Sequence, residues 1–129
     1  MTKAQQATIS AAIAAAEDGT TGRIAVREIP DRSVDAFERA KREFGRIGLQ
    51  RHEPANAALI LVAPQARRFA IVGGRALHER VGDAFWNDVV EKSTPFFARG
   101  ETEAGILYAV ARLGDVLHAH FAEPDTSSA

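Results

Sequence analysis

Cysteine is absent from the 129 residues of the sequence. This absence excludes disulfide bonds, thiolate metal sites and cysteine nucleophiles, and it suits a reducing compartment. An excess of charge of one sign is also lacking, because 16 Lys and Arg residues stand against 17 Asp and Glu residues, which gives a formal net charge of −1. Without a global attraction to polyanions, the sequence predicts no nucleic-acid partner.

Long hydrophobic runs are lacking as well. The longest, at residues 57–63, is far shorter than the roughly 20 apolar residues that cross a bilayer. Residues 1–6 do not form the charged start of a signal peptide, and no apolar stretch follows them. We therefore expect no transmembrane segment and no signal peptide in this chain, and a cytoplasmic location.

Motifs of an activated catalytic group are missing too. The sequence has no Gly-x-Ser-x-Gly elbow of the kind that serine hydrolases use. His118 and His120 are two residues apart, whereas a zinc-binding pair on one helix face needs an i, i+4 spacing. These absences disfavour a nucleophilic or zinc-dependent catalytic centre.

Hydrophobic periodicity and turn residues predict a single domain over residues 1–122, followed by a flexible tail at residues 123–129. The predicted helices cover residues 4–17, 34–47, 84–98 and 102–121, and the predicted strands cover residues 23–29, 57–63 and 68–72.

The strand at residues 57–63 decides the predicted topology. It is apolar on both faces, which is typical of a central strand covered on both sides. The helix before it requires a crossover and so predicts parallel pairing with the first strand. The short connection after it predicts an antiparallel hairpin with the third strand. The fold class that follows is α/β, with a small mixed sheet covered by about four helices.

Two of the predicted helices carry more detailed expectations. Ser33 is the expected N-cap of the helix at residues 34–47, and Asp83 is the expected N-cap of the helix at residues 84–98, which Pro95 is expected to kink. The side chains expected to face the core from the first helix are Phe37, Ala40, Phe44 and Ile47. Those expected to face it from the second helix are Trp86, Val89, Val90 and Phe97.

The residues after the third predicted strand form one candidate site. Gly73 and Gly74 lead from the strand end toward Arg75 and His78, and exposed N–H groups in such a turn can hold an anion. The spacing matches neither a dinucleotide-binding nor a Walker A pattern, and two glycines after a strand also form ordinary tight turns. Both interpretations are open at this stage.

Carboxylates farther along the same segment form a second candidate site. Asp83 and Asp88, with His78, are the nearest residues that could serve a metal-dependent phosphatase, and Asp83 is the candidate metal ligand. The alternative is a solvated helix start whose carboxylates favour the helix dipole.

Several short motifs follow one another in an order that resembles the TPM domain, from about residue 8 to residue 121. They are RFAIVGGRALH at residues 68–78, VGDAFW at residues 81–86, FFARG at residues 96–100, GIL at residues 105–107 and LHAHF at residues 117–121. Residues 21–26 and 56–60 also fit the pattern of that family.

This resemblance implies an α/β fold with helices packed on a small mixed sheet. Plant thylakoid members of the family are described as acid phosphatases involved in photosystem repair, and some members bind calcium or other divalent cations near the strand ends. Bacterial members are often membrane-anchored and lie beside LemA-type proteins. By resemblance, we therefore expect a protein partner that is membrane-associated, with a LemA-type protein as the first candidate.

The chain departs from the family pattern where a cation would bind. It has Gly22-Arg23 where the family typically has Gly-Glu, and Gly73-Gly74 where the family typically has Gly-Asp. A hard divalent ion needs several carboxylate or carbonyl oxygens, so these departures predict at most weak calcium or magnesium binding and no required cofactor. The residues predicted to bind an anion instead are Arg23, Gly73, Gly74, Arg75 and His78.

Three functions follow from these observations. The first is a non-catalytic binding or accessory domain that acts with a membrane-associated protein and carries a degraded divalent-cation site. The second is a weak metal-dependent acid phosphatase that uses Asp83, Asp88 and His78. The third is an anion or nucleotide binder at the glycine turn. We rank them in this order, so the sequence favours a protein that is not an enzyme.

Overall fold

The computed structural model describes residues 1–33 and 35–124. Within them, four helices and three strands follow one another along the chain: α1 (Lys3–Glu17), β1 (Arg23–Glu28), α2 (Ala36–Arg46), β2 (Ala57–Ala63), β3 (Arg68–Gly73), α3 (Arg75–Ala98) and α4 (Thr102–His120). Short 3-10 turns at Leu49–Arg51 and Pro64–Ala66 flank β2.

The sheet has the order β1-β2-β3, with β1 parallel and β3 antiparallel to β2. All seven residues of β2 are buried, so the prediction of a central strand covered on both faces is confirmed. The mixed sheet and the four covering helices are confirmed with it.

Helices cover the two faces of the sheet unequally. One face packs against α1, α3 and α4 through a large core that includes Ile60 and Leu113. The other packs against α2 through a smaller core that includes Leu59 and Phe44. Because side chains alternate along a strand, neighbouring residues of β2 serve these two cores in turn. β2 therefore holds both layers together.

Helix α2 begins later than the sequence predicts. Asp35 is its N-cap, with the carboxylate accepting a hydrogen bond from the Glu38 N–H at 3.1 Å, so the prediction of Ser33 as the cap is wrong. Val34, the first residue of the predicted helix, lies outside the described residues. An aspartate cap at this position satisfies a free N–H of the first turn as well as a serine would.

The buried stripe of α2 agrees with its prediction except at Phe37. Phe37 was expected in the core, but 53% of it is exposed. Ala40 and Phe44 are buried as predicted, and Ala36 is buried in place of Phe37, so that the stripe follows i, i+4 and i+8. Because each helical residue turns by about 100°, the residue after Ala36 faces away from that stripe.

Helix α3 differs most from its prediction. It begins at Arg75, with Gly74 as its N-cap, and is interrupted at Gly82, which has a left-handed φ of 69° and an extended ψ of 175°. The segment after Gly82 begins within one residue of the expected start at residue 84, but Gly82 rather than Asp83 is the non-helical residue before it, and the helical turns at residues 75–81 were not predicted. The non-helical backbone lies at Gly82 rather than at Pro95. Val90, expected to face inward, is 41% exposed.

Beyond α4 the chain returns to the segment that follows α1. The Glu123 N–H donates to the Gly19 carbonyl oxygen at 2.8 Å. Residues 125–129 of the predicted tail lie outside the described residues. No helix in the described part of the chain has the length and apolar character needed to span a bilayer.

Candidate functional site

The candidate residues lie along one edge of the sheet, where β1 and β2 begin and β3 ends. Arg23 pairs with Ala57, and Gly73 pairs with Ala58 on the other side of β2. Neighbouring strands are about 4.8 Å apart, so the backbones of Arg23 and Gly73 are separated by roughly 10 Å. The altered motif positions are Arg23 and Gly74, which directly follows Gly73, so they lie at the same sheet edge but on opposite sides of β2.

The two glycines of the turn are packed closely against other parts of the chain. A Cβ atom at Gly73 would lie 2.7 Å from carbons of the Trp86 ring. A Cβ atom at Gly74 would overlap the Ala55 carbonyl oxygen and lie 2.8 Å from the carbonyl carbon. No side chain fits at either position without movement of these neighbours. Close packing is therefore one reason for glycine at both positions.

Three N–H groups at the turn, those of Gly74, Ala76 and Leu77, already have partners within the protein. The Gly74 N–H donates to the Ala57 carbonyl oxygen at 2.8 Å. At the start of α3, the N–H groups of Ala76 and Leu77 both donate to the Ala55 carbonyl oxygen, at 2.9 and 3.3 Å. An anion could use these three N–H groups only by displacing their bonds.

A groove of about 600 Å³ runs beside the glycine turn, and carboxylates are among the side chains that line it. Glu53 and Glu79 contribute two negative charges, against one positive charge from Arg75. This balance favours a cation over an anion near the glycines.

His78 and Asp83 are brought together at the start of α3. The Trp86 indole N–H donates to Nδ1 of His78 at 3.0 Å. Nδ1 is therefore the unprotonated nitrogen, and the Nε2–H faces Oδ1 of Asp83 at 3.6 Å. Both side chains are exposed, at 51% and 88%. The arrangement is an open His–Asp pair whose imidazole orientation is set by Trp86.

Asp88 is not part of that pair. It follows Asp83 by five residues, so an ideal helix would turn the two side chains about 140° apart. Asp88 contacts Arg112 at 2.8 Å and Lys92 at 3.1 Å. The hydrogen bond from Arg112, followed by that from Lys92, lowers the pKa of the Asp88 carboxyl. Among the described residues, no three His, Asp or Glu side chains cluster as a metal-binding group.

Replacement of Asp88 by asparagine is expected to lower stability in a pH-dependent manner. The carboxyl has a lowered pKa in the folded state, so its stabilising effect is complete above its ordinary pKa of 3.8 and is lost as the pH falls through the folded-state value. Asp88→Asn should therefore reduce the urea midpoint at pH 7 and have a shrinking effect below pH 3.8.

The matched control for Asp88 is Asp115→Asn, because Asp115 is an exposed carboxylate outside the ion pairs of the described residues. Equal losses from Asp88→Asn at neutral and at strongly acidic pH would contradict the structural role of the Asp88–Arg112 pair.

A more cationic groove lies on the other side of β2, along the open edge of β1. Its volume is about 580 Å³. Arg23 and Arg27 contribute from β1, and Arg51 and His52 from the segment after α2. Among the described residues, none of those that line it carries a carboxylate. We call this surface, defined by these four residues, the β1 groove.

Hydrogen bonds position the wall of the β1 groove. Nε2 of His52 lies 2.8 Å from the Thr21 carbonyl oxygen and must donate to it, because a carbonyl oxygen only accepts. The buried Asn56 donates through Nδ2 to the Thr21 hydroxyl at 2.9 Å. These two contacts hold the segment that carries Arg51 and His52 against the start of β1.

The nearest carboxylate on α2 does not neutralise the groove. Glu43 accepts two hydrogen bonds from Arg46, at 2.9 and 2.7 Å. The Arg46 hydrogen bonds are the main reason why the pKa of the Glu43 carboxyl is lowered, and the charges of Arg46, Arg39 and Arg27 add to the effect. Arg27 forms no ion pair among the described residues, and its Nη1 donates to the Val26 carbonyl oxygen at 3.0 Å, so the remaining N–H groups of its guanidinium can serve the groove.

Arg27 and Arg51 are functional candidates that the motif comparison did not identify. The alternation of strand side chains contained the signal for Arg27, since Arg23, Ala25 and Arg27 lie on one face of β1. No local pattern connects Arg51 with them, because the return of the chain after α2 brings it there.

Comparisons with known proteins show which family the sequence matches and which solved structures share the fold. A sequence model described as the TPM domain matches residues 1–116. Comparison with curated protein sequences finds no match.

Solved structures share the fold. The NMR structure of the BA42 protein from the psychrophilic bacterium Bizionia argentinensis has a TM-score of 0.86 at 26% identity, over 97% of this chain and 86% of that one. The N-terminal domain of a P. gingivalis protein has a TM-score of 0.78 at 17% identity, over 94% and 78% of the two chains. The N-terminal domain of a Corynebacterium glutamicum protein has a TM-score of 0.72 at 16% identity, over 96% and 78%.

Proposed function

The chain belongs to the TPM domain family, and from this premise we propose that it is a non-catalytic binding domain whose strand-end site takes an anion rather than a divalent cation. The separation of the candidate catalytic residues supports the first part. His78 and Asp83 form an exposed pair, whereas Asp88 is held by Arg112. A metal-dependent phosphatase would need these groups around one ion.

The observation that carries the second part is the composition of the β1 groove. Arg23, Arg27, Arg51 and His52 line it, and no carboxylate from the described part of the chain does. A guanidinium presents donors in a planar fork that matches two oxygens of a phosphate or carboxylate, so each arginine can bind such a group at two points. The proposed ligand class is therefore a phosphate or a phosphate-bearing small molecule.

The spacing of the arginines limits the size of that ligand. Arg23 and Arg27 are four residues apart on one strand, which separates their backbones by about 13 Å. Their long side chains can converge on a single group in the middle of the groove or bind two groups of an elongated molecule. Arg51 and His52 approach from the opposite wall.

The same residues explain why we propose poor cation binding. Arg23 places a positive charge where the family typically has a glutamate, and Gly74 contributes no carboxylate oxygen. Glu53 and Glu79 are the carboxylates nearest the glycine turn. Two carboxylates beside Arg75 offer fewer oxygen ligands than the six to eight that calcium takes.

Amide NMR shifts provide the direct test of this proposal. Calcium, magnesium and manganese are titrated first, and inorganic phosphate afterwards. We expect phosphate to shift the signals of residues 23–27 and 48–52 and the cations to cause no localised change. Localised shifts at residues 73–83 with micromolar calcium would contradict the proposal and favour a cation-dependent function.

Single arginine replacements test the residues involved. Arg23→Ala and Arg51→Ala are each expected to weaken phosphate binding by about tenfold, because a hydrogen bond to a charged group contributes about 1.5–3 kcal/mol. Isothermal titration calorimetry at low ionic strength measures the effect, since salt screens exposed charges.

Arg42→Ala is the matched control for these variants, because Arg42 is an exposed arginine of α2 outside the groove. An equal loss of phosphate affinity in Arg42→Ala would mean that general charge, rather than the β1 groove, binds the anion.

The His78–Asp83 pair is the one observation that favours the phosphatase alternative. Its test is metal-stimulated hydrolysis of p-nitrophenyl phosphate at acidic pH. A non-catalytic domain gives no turnover above that of the buffer. Turnover that is lost in both His78→Ala and Asp83→Ala would contradict the non-catalytic part of the proposal and leave the anion site untouched.

We also propose, from the family resemblance, that the domain acts with a membrane-associated protein, with a LemA-type protein as the first candidate. Such a partner would need a surface of this domain, outside the β1 groove, to which another protein chain can bind.

A further inference from the structure

A second groove lies at the beginning of β3, between the N-terminal end of α2 and the middle of α3. Its volume is about 950 Å³, and it is separate from the β1 groove because the two have no lining residue in common. We call it the β3 groove and define it by the six side chains Arg32, Phe37, Arg67, Arg68, Phe69 and Val90.

The floor of the groove includes an open strand edge. In the described part of the chain, β2 is the one strand paired with β3. The hydrogen bond from the Gly74 N–H to the Ala57 carbonyl oxygen fixes the phase of this antiparallel ladder. Hydrogen-bonded residue pairs alternate with non-hydrogen-bonded pairs along such a ladder, and Phe69 belongs to a non-hydrogen-bonded pair. Its N–H and C=O groups therefore point away from β2. An extended segment of another chain can bond to them.

Exposed apolar side chains flank this edge on both sides. The large hydrophobic residues that are exposed among the described residues are Met1, Phe37 and Val90, and two of these three line the β3 groove. Phe37 is 53% and Val90 is 41% exposed. Between them, Phe69 stacks on Phe97 with ring centroids 4.3 Å apart. Exposed apolar groups gathered in one groove are typical of a surface that another molecule covers.

The charges of the groove are mostly positive. Arg32, Arg67 and Arg68 line it, and the one carboxylate that the described residues contribute is that of Asp35. That carboxylate is already engaged as the N-cap of α2. The groove therefore presents an excess of cations to a ligand.

Two of the three arginines are held in place by contacts within the protein. Nε of Arg32 donates to Oε1 of Gln65 at 3.0 Å. Nη1 of Arg67 donates to the Ala98 carbonyl oxygen, also at 3.0 Å. Arg68 has no such bond among the described residues and is exposed. It is consequently the arginine best placed to meet an incoming acidic side chain.

These charges also distinguish between two possible occupants. Pairing of the β3 edges of two copies would bring two sets of three arginines together, and like charges across an interface are strongly unfavourable. A segment that carries acidic side chains would satisfy the same arginines. Charge complementarity therefore favours an acidic partner over a second copy of the chain.

We propose that the β3 groove binds an extended, acidic segment of a partner protein. The segment pairs with the backbone of Phe69, places an apolar side chain between Phe37 and Val90, and directs a carboxylate to Arg68. This inference deepens the proposed role as a binding domain, but it does not depend on the anion site of the β1 groove.

Selection of a phage-displayed random peptide library on the intact chain tests the proposal while the natural partner is still unidentified. We expect an enriched consensus in which acidic residues adjoin alternating apolar residues. A synthetic, fluorescein-labelled peptide of that consensus then measures affinity by fluorescence anisotropy. Phe37→Ala and Arg68→Glu should each weaken binding by about tenfold or more, as the loss of an apolar anchor or a charged contact does.

Charge reversal makes the test specific. A peptide with lysine in place of its acidic residues should bind Arg68→Glu better than it binds the parent protein. Arg42→Glu, which changes a charge on α2 outside the β3 groove, should leave both affinities unchanged. Circular dichroism confirms that each variant is folded.

Several results would overturn the inference. They are a basic consensus, the absence of any consensus, or equal peptide binding by the parent and both variants. A dimer that Phe37→Ala dissolves would assign the groove to a second copy instead. Phosphate titrations of the same variants separate the two proposals, because loss of peptide binding with intact phosphate binding concerns the β3 groove alone.

Discussion

Replacement of Gly74 by alanine is expected to destabilise the fold by about 3 kcal/mol. The added Cβ would overlap the Ala55 carbonyl oxygen, which is backbone and cannot rotate away as a side chain can. Overpacking of this kind costs about 1–3 kcal/mol. The backbone of Gly74, with φ −68° and ψ 166°, is accessible to any residue, so the expected loss is steric rather than conformational.

Displacement of Ala55 would add a second loss, because its carbonyl oxygen caps α3. It accepts hydrogen bonds from Ala76 and Leu77, and each weakened hydrogen bond contributes about 1 kcal/mol. Urea unfolding followed by the fluorescence of Trp86, the only tryptophan, measures the change. The start of α3 should lose protection from amide hydrogen exchange in the same variant.

Gly45→Ala provides a control of opposite sign. Gly45 is an exposed residue of α2, and a Cβ atom at this position would have no neighbour within 4 Å outside its own helix. Alanine is preferred to glycine within a helix by about 0.5–1 kcal/mol, so this variant should be slightly more stable than the parent. The same chemical change is thus expected to stabilise at one position and to destabilise at the other.

The outcome at Gly74 also discriminates between two roles of the glycine turn. A variant with unchanged stability, within about 0.5 kcal/mol, would show that the close approach to Ala55 is unimportant. If the same variant also lost phosphate binding, the turn rather than the β1 groove would be the anion site. Reduced stability with full phosphate binding in the folded protein would support the structural role described for Gly74.

The fold was predictable where one local pattern dominated. The apolar run at residues 57–63 corresponds in full to β2, because a strand covered on both faces has no polar positions. The pairing of the three strands followed from the lengths of their connections. The predictions failed where a residue distant in sequence determines where an element begins. The start of α3 depends on the Ala55 carbonyl, which no pattern within residues 75–98 reveals.

The candidate site divides in the same way. Arg23 was accessible from the sequence through the departure from the family motif. Its neighbour Arg51 was not, because the turn after α2 brings it to β1. The pairing of His78 with Trp86 requires the interruption at Gly82, whose left-handed φ is a property of the backbone rather than of a recognisable motif. The β3 groove depends on Phe37, whose predicted inward orientation is wrong although Ala40 and Phe44 of the same stripe are buried as predicted.

Replacement of Phe97 by alanine is expected to cause the other large loss of stability, about 3–5 kcal/mol. Phe97 is 2% exposed and joins three elements. From α3 its ring stacks on Phe69 of β3, and it packs so closely on α4 that a Cβ at Gly105 would lie 2.8 Å from ring carbons. No single neighbour can fill the cavity, since the surrounding residues belong to different elements.

Phe97→Leu should recover most of the loss, because it restores apolar volume but not the aromatic stack. Thermal and urea unfolding of the three proteins give the comparison. A loss below about 1 kcal/mol in Phe97→Ala would mean that the α3–α4 packing adjusts to fill the cavity, contrary to the close contact at Gly105.

Phe37→Ala is the comparison for Phe97→Ala, because both phenylalanines line the β3 groove but Phe37 is exposed and Phe97 is buried. Phe37 is 53% exposed, so its removal should change the free energy of unfolding by less than about 1 kcal/mol. A phenylalanine that stabilises the core is buried, whereas one that contacts a partner protein has to be exposed in the free domain. If Phe37→Ala abolishes peptide binding at nearly full stability, while Phe97→Leu retains binding at reduced stability, the exposed ring serves recognition and the buried ring supports the strand edge on which recognition takes place.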